Sequence, residues 1–110
     1  MAAYAVGILN DVVMGPPIVE YLERIDDTLH PHGGRFVVHG SPNEMQEGDD
    51  PGTLIVIEFP NLDRVRAWYG STAYQAIVSL RAGNSRGVIF FVDGVDAEHL
   101  ATDVLRPPAP

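Results

Sequence analysis

The sequence predicts an α+β domain in which four antiparallel strands form one sheet and two helices cover one face. Strand-like and helix-like segments follow one another in the order βαββαβ, which is the ferredoxin-like arrangement. Right-handed crossovers would place both helices on the same face of that sheet. The strands at 54–59 and 88–92 are apolar almost throughout. A strand with one wet face would alternate apolar and polar residues, so both faces of this sheet need cover.

The first half of the chain supplies a strand, a helix and a second strand. Residues 4–10 form the first strand, and Pro16 opens the helix, since proline is tolerated in a first helical turn. The apolar face of the helix recurs at spacings of four, three and four, at Ile18, Leu22, Ile25 and Leu29. Pro31 and the glycines that follow end it. The second strand runs over residues 35–40.

The second half supplies two strands and an interrupted helix. A polar loop at 41–52 leads to the third strand at 53–59, and Asn61 caps the next helix. Gly70 interrupts this helix, and Thr72 with Gln75 has the form of a capping box, which predicts a restart. Its apolar face comprises Leu62, Val65, either Trp68 or Tyr69, and then Ala73, Ile77 and Leu80. The fourth strand runs from about Arg86 to Val92. We therefore expect one domain at 1–95 and a tail at 96–110, partly mobile, with a short helical turn.

Composition excludes several classes of function. The 110 residues form one domain, and a net charge of −8 argues against nucleic acid as a partner. The seven basic residues are all arginine, so no lysine can form a Schiff base, and no cysteine can serve as a nucleophile or ligand. The first residues lack a signal-peptide pattern, and no run approaches the ~20 apolar residues of a membrane span. The expectation is a cytoplasmic protein.

One face of the predicted sheet lacks cover from its own chain. Both helices lie on the other face, and the tail is too polar and rich in proline to cover the bare one. Several exposed Ile, Val and Phe side chains would form a patch large enough to drive association. The simplest partner is a second copy, with the two sheets packed face to face in a homodimer.

Several groups of residues on these elements carry a resemblance. They are His32-Gly33-Gly34-Arg35-Phe36, Glu44, Glu47-Gly48, Ile57-Glu58-Phe59-Pro60, Ala67-Trp68-Tyr69, Ser71, Tyr74-Gln75 and Leu80-Arg81. Together they resemble the DUF 1330 family of the dimeric α/β-barrel superfamily, over residues 4 to 95. Gly70 and Thr72 depart from that pattern, at the helix interruption. The resemblance implies a dimer with packed sheets and a small-molecule pocket between sheet and helices.

Histidines supply the first candidate site. His32 follows the first helix, and this topology brings that point close to the end of the third strand, near Phe59 and Pro60. Imidazole is a common general base, so His32 is our candidate catalytic residue. The alternative is a structural residue that supports the turn. His30 and His32 form an H-x-H pair, but no third ligand is evident nearby, and we predict no metal site.

Five further residues are candidate ligand-binding residues: Arg35, His39, Trp68, Tyr69 and Tyr74. Arg35 and His39 share one face of the second strand by alternation, with Phe36 and Val38 on the other. The three aromatic residues surround Gly70. A broken helix there leaves backbone groups without helical hydrogen bonds, and the tyrosine hydroxyls prefer polar partners. Packing in the core is the alternative role for each of them, and contact with water at an edge strand is the alternative for His39.

Glu58 is the one ionisable residue within an apolar strand, so it must be paired or shift its pKa. An arginine of the same chain or of the partner is the first choice, and a proton-transfer role is the second. Arg81 and Arg86 are candidates for this pairing or for holding an acidic ligand. The acidic loop around Glu44 and Glu47 lacks the spacing of a calcium site.

Two functions fit these observations. The first is a small-molecule enzyme without an organic cofactor, acting as a monooxygenase, cyclase or isomerase on an aromatic or polyketide-like substrate. The superfamily resemblance implies it, since relatives include quinone-forming monooxygenases, polyketide cyclases and muconolactone isomerases. The second is a non-catalytic homodimer that binds a hydrophobic metabolite or has a structural role. Haem-dependent relatives make haem a minor alternative, and otherwise no cofactor is expected.

Overall fold

Four strands form one antiparallel sheet in the computed structural model of the protein, which describes residues 1–106. The strands are β1 (Ala3–Asn10), β2 (Arg35–His39), β3 (Thr53–Phe59) and β4 (Arg86–Asp93). The helices are α1 (Pro16–Leu29), α2 (Leu62–Tyr69), α3 (Thr72–Gln75) and α4 (Val78–Ala82), with 3-10 turns at His30–His32 and Ala101–Leu105. The strand order is β2-β3-β1-β4. This confirms the predicted ferredoxin-like α+β fold.

The core lies between the helices and one face of the sheet. Buried apolar side chains alternate along the central strands, and those of the helices meet them. They are Ala3, Ala5, Ile57, Phe59, Tyr21, Ile25, Leu29, Val65, Trp68, Tyr74 and Ile77. Burying each large side chain of this kind is worth roughly 1.5–3 kcal/mol, so this layer stabilises the domain.

The first helix is confirmed, but its buried face is rotated from the predicted one. Tyr21 is buried at the position expected for Leu22, and Leu22 is 41% exposed. Both residues fall within one turn of the apolar stripe, so spacing alone did not separate them. The helix ends at Leu29, and Gly33 closes the following turn with a φ of 72°. Glycine takes this left-handed conformation at no steric cost.

The second helical segment is interrupted at Gly70, as predicted, and once more at Ile77. The Asn61 side chain caps α2 by accepting from the Arg64 backbone N–H. The predicted capping box at Thr72 is wrong by one residue, because Ser71 Oγ accepts from the Tyr74 N–H at 3.2 Å. The Gln75 amide instead donates to the Tyr69 carbonyl at 2.7 Å. One hydrogen bond after Gly70 and one across it therefore stabilise the break between α2 and α3.

A bulge in β2 changes the predicted sidedness of that strand. Phe36 pairs with Ile57 and His39 with Ile55, with the register shift between Phe36 and Val38. Two residues then oppose one on the partner strand, and strict alternation fails. The rings of Phe36 and His39 stack with centroids 4.2 Å apart on the helix side of the sheet. The prediction that His39 shares a face with Arg35 is therefore wrong.

The other face of the sheet carries apolar side chains without helical cover. Val38, Val56, Val6 and Phe90 stand opposite one another on the four strands and form one row. We call this surface the open face. Val88, Phe90 and Val92 on β4 are 44–54% exposed. The strands that are apolar on both sides therefore have one uncovered face, and this is the face that we expected to need a partner.

Glu58 lies on the open face and has the arginine partner that we expected. Its carboxylate accepts from Arg35 Nη2 at 3.0 Å, and the Tyr4 hydroxyl lies 3.4 Å from its other oxygen. Arg35 stands directly opposite Glu58 in the ladder. Cross-strand pairs of opposite charge contribute roughly 0.2–1 kcal/mol each. Arg81 and Arg86, the arginines predicted for this pairing, do not make the contact.

The tail contains the expected helical turn at Ala101–Leu105. The prediction of a mobile end at 107–110 lies outside the described residues. Within residues 1–106, every helix is too short or too polar to cross a membrane.

Candidate functional site

A cavity of about 210 Å³ lies between the sheet and α1. Its walls are apolar side chains of both layers, including Ala5, Ile57 and Ile25. Trp68 and Tyr74, both buried, line its inner part. Two exposed residues also line it. Met14 follows β1 in the chain, and Thr53 stands opposite Leu9 near the end of β1. The cavity therefore opens at that edge of the sheet.

The size of the cavity limits what it can hold. Its 210 Å³ exceeds the ~150 Å³ of an apolar cavity that binds benzene and falls below the ~300 Å³ at which ligand pockets usually begin. The space suits a compound with one or two fused rings.

Two phenols form the polar centre of the inner wall. The hydroxyl oxygens of Tyr21 and Tyr74 lie 2.8 Å apart. Burial, together with the adjacent Tyr74, raises the pKa of Tyr21 far above its ordinary value. Tyr21 therefore stays a neutral phenol. The two residues carry two O–H donors and their mutual bond uses one, so the second proton is available to a group in the cavity.

Arg81 lies beside this pair. Its guanidinium carbon is 5.9 Å from the centre of the Tyr21 ring. Burial opposes the charge of the guanidinium, but the neighbouring Tyr74 and Tyr21 outweigh it and raise the pKa of Arg81. Among residues 1–106, the buried Nε of Arg81 has no hydrogen-bond partner. The cavity therefore has a cation in its wall.

The mouth of the cavity is bordered by an ordered loop. Asp50 accepts from the Gly52 backbone N–H and from the Asn43 amide, both at 2.9 Å. These two bonds, the first more than the second, lower the pKa of the Asp50 carboxyl. A second, polar cavity beneath this loop shares Gly40 and Thr53 with the first. The loop at 41–52 therefore borders the entrance of the apolar cavity.

Trp68 is held in the wall by a hydrogen bond from its indole. Nε1–H donates to Thr28 Oγ1 at 3.0 Å, and the same hydroxyl donates to the Ile25 carbonyl at 2.6 Å. Thr28 is the one buried polar residue of the described core. This bond joins α1 to α2 behind the cavity.

Replacement of Thr28 by valine should lower the free energy of unfolding by about 1–3 kcal/mol, because a buried indole N–H would lose its acceptor. Urea denaturation followed by the fluorescence of Trp68, the only tryptophan, measures this loss. Thr28→Ser keeps the hydroxyl and is the matched control. An unchanged free energy of unfolding in Thr28→Val would show that this hydrogen bond contributes nothing to stability.

The structure brings three of the predicted ligand-binding residues to the cavity. His39, Trp68 and Tyr74 line it. Tyr69 does not, although its ring packs against Trp68, Tyr74 and Phe91 with centroid distances of 5.4–6.0 Å. Tyr69 thus supports the aromatic wall from behind.

His32 and Arg35 lie elsewhere. The turn that carries His32 packs against the end of β3 as expected, since a Cβ on Gly33 would lie 3.0 Å from Pro60 Cγ. His32 is not among the residues that line the cavity. Arg35 is on the open face, paired with Glu58. Among residues 1–106, no three His, Cys, Asp or Glu side chains form a group that could hold a metal ion.

Sequence reasoning gave too little weight to Tyr21 and Arg81. Tyr21 follows Ile18 by three residues and precedes Ile25 by four, which is core spacing and gives no sign of a hydrogen-bonded phenol. Arg81 was one of two arginines considered for an acidic ligand, and no local pattern distinguishes it from Arg86. Tyr21 contacts Tyr74 and Arg81, and each of these two residues lies more than 50 positions from Tyr21 in the chain.

Comparison with known proteins identifies relatives of this fold. Residues 2–95 match the family DUF1330, described as a domain of unknown function. No curated protein matches the chain.

Three solved structures have similar folds. One is RPA0582 from Rhodopseudomonas palustris, a protein of unknown function, with 14% identity, a TM-score of 0.62, and coverage of 86% of this chain and 83% of that one. Another is a dimeric ferredoxin-like protein of unknown function from Jannaschia sp. CCS1, with 17% identity, a TM-score of 0.58, and coverage of 87% and 100%. The third is SnoaB, a cofactor-independent oxygenase from Streptomyces nogalater, with 15% identity, a TM-score of 0.55, and coverage of 88% and 96%. At these identities the likeness establishes the fold alone.

Proposed function

Because the chain belongs to the DUF1330 family, a domain of unknown function, we propose its function from the cavity itself. The protein is an enzyme without an organic cofactor that binds a small aromatic compound between sheet and helices, and oxidises, cyclises or isomerises it. The observation that carries this proposal is the cavity of about 210 Å³, whose apolar walls hold Tyr21, Tyr74, Arg81 and His39. An apolar pocket with a few convergent polar groups is the usual form of a small-molecule site.

His39 is the proton acceptor in this proposal, in place of His32. Its imidazole lines the cavity and stacks on Phe36, which supports a fixed ring orientation. Removal of a proton from a phenol of the substrate produces an anion that is more easily oxidised or rearranged than the neutral compound.

Oxidation of such an anion needs only dioxygen as the electron acceptor. 1-Naphthol and O₂ give 1,4-naphthoquinone and water, so electrons and atoms balance without a flavin or a metal. The fold shared with SnoaB, a cofactor-independent oxygenase, supports this reaction class. Shared folds often serve different reactions, so the choice between oxidation, cyclisation and isomerisation depends on an assay.

Replacement of His39 by alanine should lower kcat/KM by roughly 10²–10⁴-fold, the usual contribution of a general base. The assay follows oxygen consumption and quinone absorbance with a panel of hydroxylated naphthalenes. His32→Ala removes an imidazole outside the cavity and should leave kcat/KM unchanged. Loss of activity in His32→Ala with full activity in His39→Ala would overturn the assignment.

Native mass spectrometry of the purified protein separates catalysis from binding alone. A co-purified aromatic compound without turnover of any probe would favour the non-catalytic, metabolite-binding alternative. Absence of both a bound compound and probe binding would contradict any role for the cavity as a ligand site.

The proposed enzyme is a homodimer through the open face. The apolar row Val38, Val56, Val6 and Phe90 supports a partner there, because exposed apolar side chains in one patch favour association. The dimeric ferredoxin-like protein from Jannaschia sp. CCS1 lends support through its shared fold. In such a dimer each cavity stays on the outer, helix-covered side.

A further inference from the structure

The wall of the cavity has one strong cation and no carboxylate. Of the residues that line it, Arg81 is the arginine, and none is aspartate or glutamate. The whole chain has 15 acidic residues and 7 basic ones, so the cavity wall is positively charged in a protein whose net charge is negative. Arg81 forms no ion pair within residues 1–106, whose ion pairs all involve other side chains.

An unpaired arginine in an apolar wall has a cost that a bound anion would remove. Arg81 is half-buried, and a charge that is partly removed from water is usually paired, with its donors bonded. The Tyr21 ring partly offsets the charge, at 5.9 Å from the guanidinium carbon. However, the buried Nε still lacks a hydrogen-bond partner among the described residues. The arrangement therefore lacks an oxygen acceptor with negative charge.

The neighbouring phenols are placed to serve the same acceptor. Their hydroxyls are 2.8 Å apart, and one of the two protons is left over from their mutual bond. The guanidinium of Arg81 and the phenol O–H then offer donors in one region of the wall. Two donors beside a positive charge match the two oxygens of a carboxylate.

We propose that the ligand is a one- or two-ring aromatic carboxylate, whose carboxylate binds Arg81 and the Tyr21–Tyr74 pair while its rings fill the apolar space toward Trp68. This inference rests on the proposed function, which requires only that an aromatic compound binds in the cavity, and it adds the acidic group. The ring size follows from the cavity of about 210 Å³.

The test compares two probes of nearly equal shape, 2-naphthoate and 2-naphthamide, by isothermal titration calorimetry on the purified full chain. Naphthoate should bind about 10- to 100-fold more tightly than the amide, the usual gain from hydrogen bonds to a charged partner. Arg81→Gln should remove that gain, so that the two probes bind with similar affinities. Arg86→Gln removes the same charge from an exposed residue outside the cavity and should change neither affinity.

The outcomes separate this inference from the proposed function. Equal affinity of the two probes for the wild-type protein would overturn the acidic ligand while leaving an aromatic pocket in place. Binding of neither probe would overturn both. The wild-type comparison needs no variant, so it decides the question even if Arg81→Gln does not fold.

Discussion

Val56→Glu should convert the protein from a dimer of about 24 kDa, twice 12.0 kDa, into a monomer. Val56 stands at the middle of the open face, directly opposite Val38 and Val6. In a face-to-face dimer, each copy would bury one unpaired carboxylate, which costs several kcal/mol. Each 1.4 kcal/mol is tenfold in affinity, so two copies should raise the dissociation constant by more than about 1000-fold.

Val19→Glu is the matched control, because Val19 is 47% exposed on α1, away from the sheet. It adds the same charge and should leave the dimer intact. Light scattering after size exclusion, at about ten micromolar protein, measures both masses. A wild-type protein that elutes as a stable monomer would refute the homodimer, and a dimeric Val56→Glu would move the interface to another surface.

Gly87→Ala should lower the free energy of unfolding by roughly 3–6 kcal/mol, because backbone strain, overpacking and lost ladder bonds add together. Gly87 lies at the start of β4 opposite Leu9 and has a φ of 141°. A Cβ at this position would lie 1.9 Å from the Ile8 carbonyl oxygen. Neither backbone can yield without separating β4 from β1, so the edge strand should loosen at its start.

Gly48→Ala distinguishes the clash from the strain. Gly48 also has a positive φ, 76°, but no atom lies within 4 Å of the point that an alanine methyl would occupy there. Its replacement should cost only about 1 kcal/mol of conformational strain. Urea unfolding at one fixed protein concentration measures both variants, since dimer stability depends on concentration. Equal losses in the two variants would show that close approach to Ile8 is unimportant.

Much of the fold could be predicted because local residue types decide it. The spacing of Ile18, Ile25 and Leu29 predicts α1, and the proline and glycines that follow predict its end. The apolar residues of β3 and β4 predict a sheet that is buried on one side and unpartnered on the other. The element order then leaves few topologies, since crossovers are right-handed.

The candidate site could be predicted only in part. Trp68 and Tyr74 were found because a broken helix with aromatic residues is visible in the sequence. His39 was predicted to share a face with Arg35, because a bulge at Val37 cannot be read from a strand of five residues that otherwise alternates. His32 was expected beside a pocket that in fact lies farther along α1, toward Tyr21.

Residue order along the chain was enough to define which segments are strands and helices, where the helices break, and that one sheet face lacks cover. These properties depend on periodicity and on single residues such as Gly70 and Asn61. The position of Arg81 beside Tyr21 and Tyr74, in an apolar wall, follows only from the packed structure. Such a meeting depends on the register of strands and the angles of distant helices, which no local pattern encodes. The physical consequence is a cation without an ion-pair partner among residues 1–106, and that cation defines the proposed ligand.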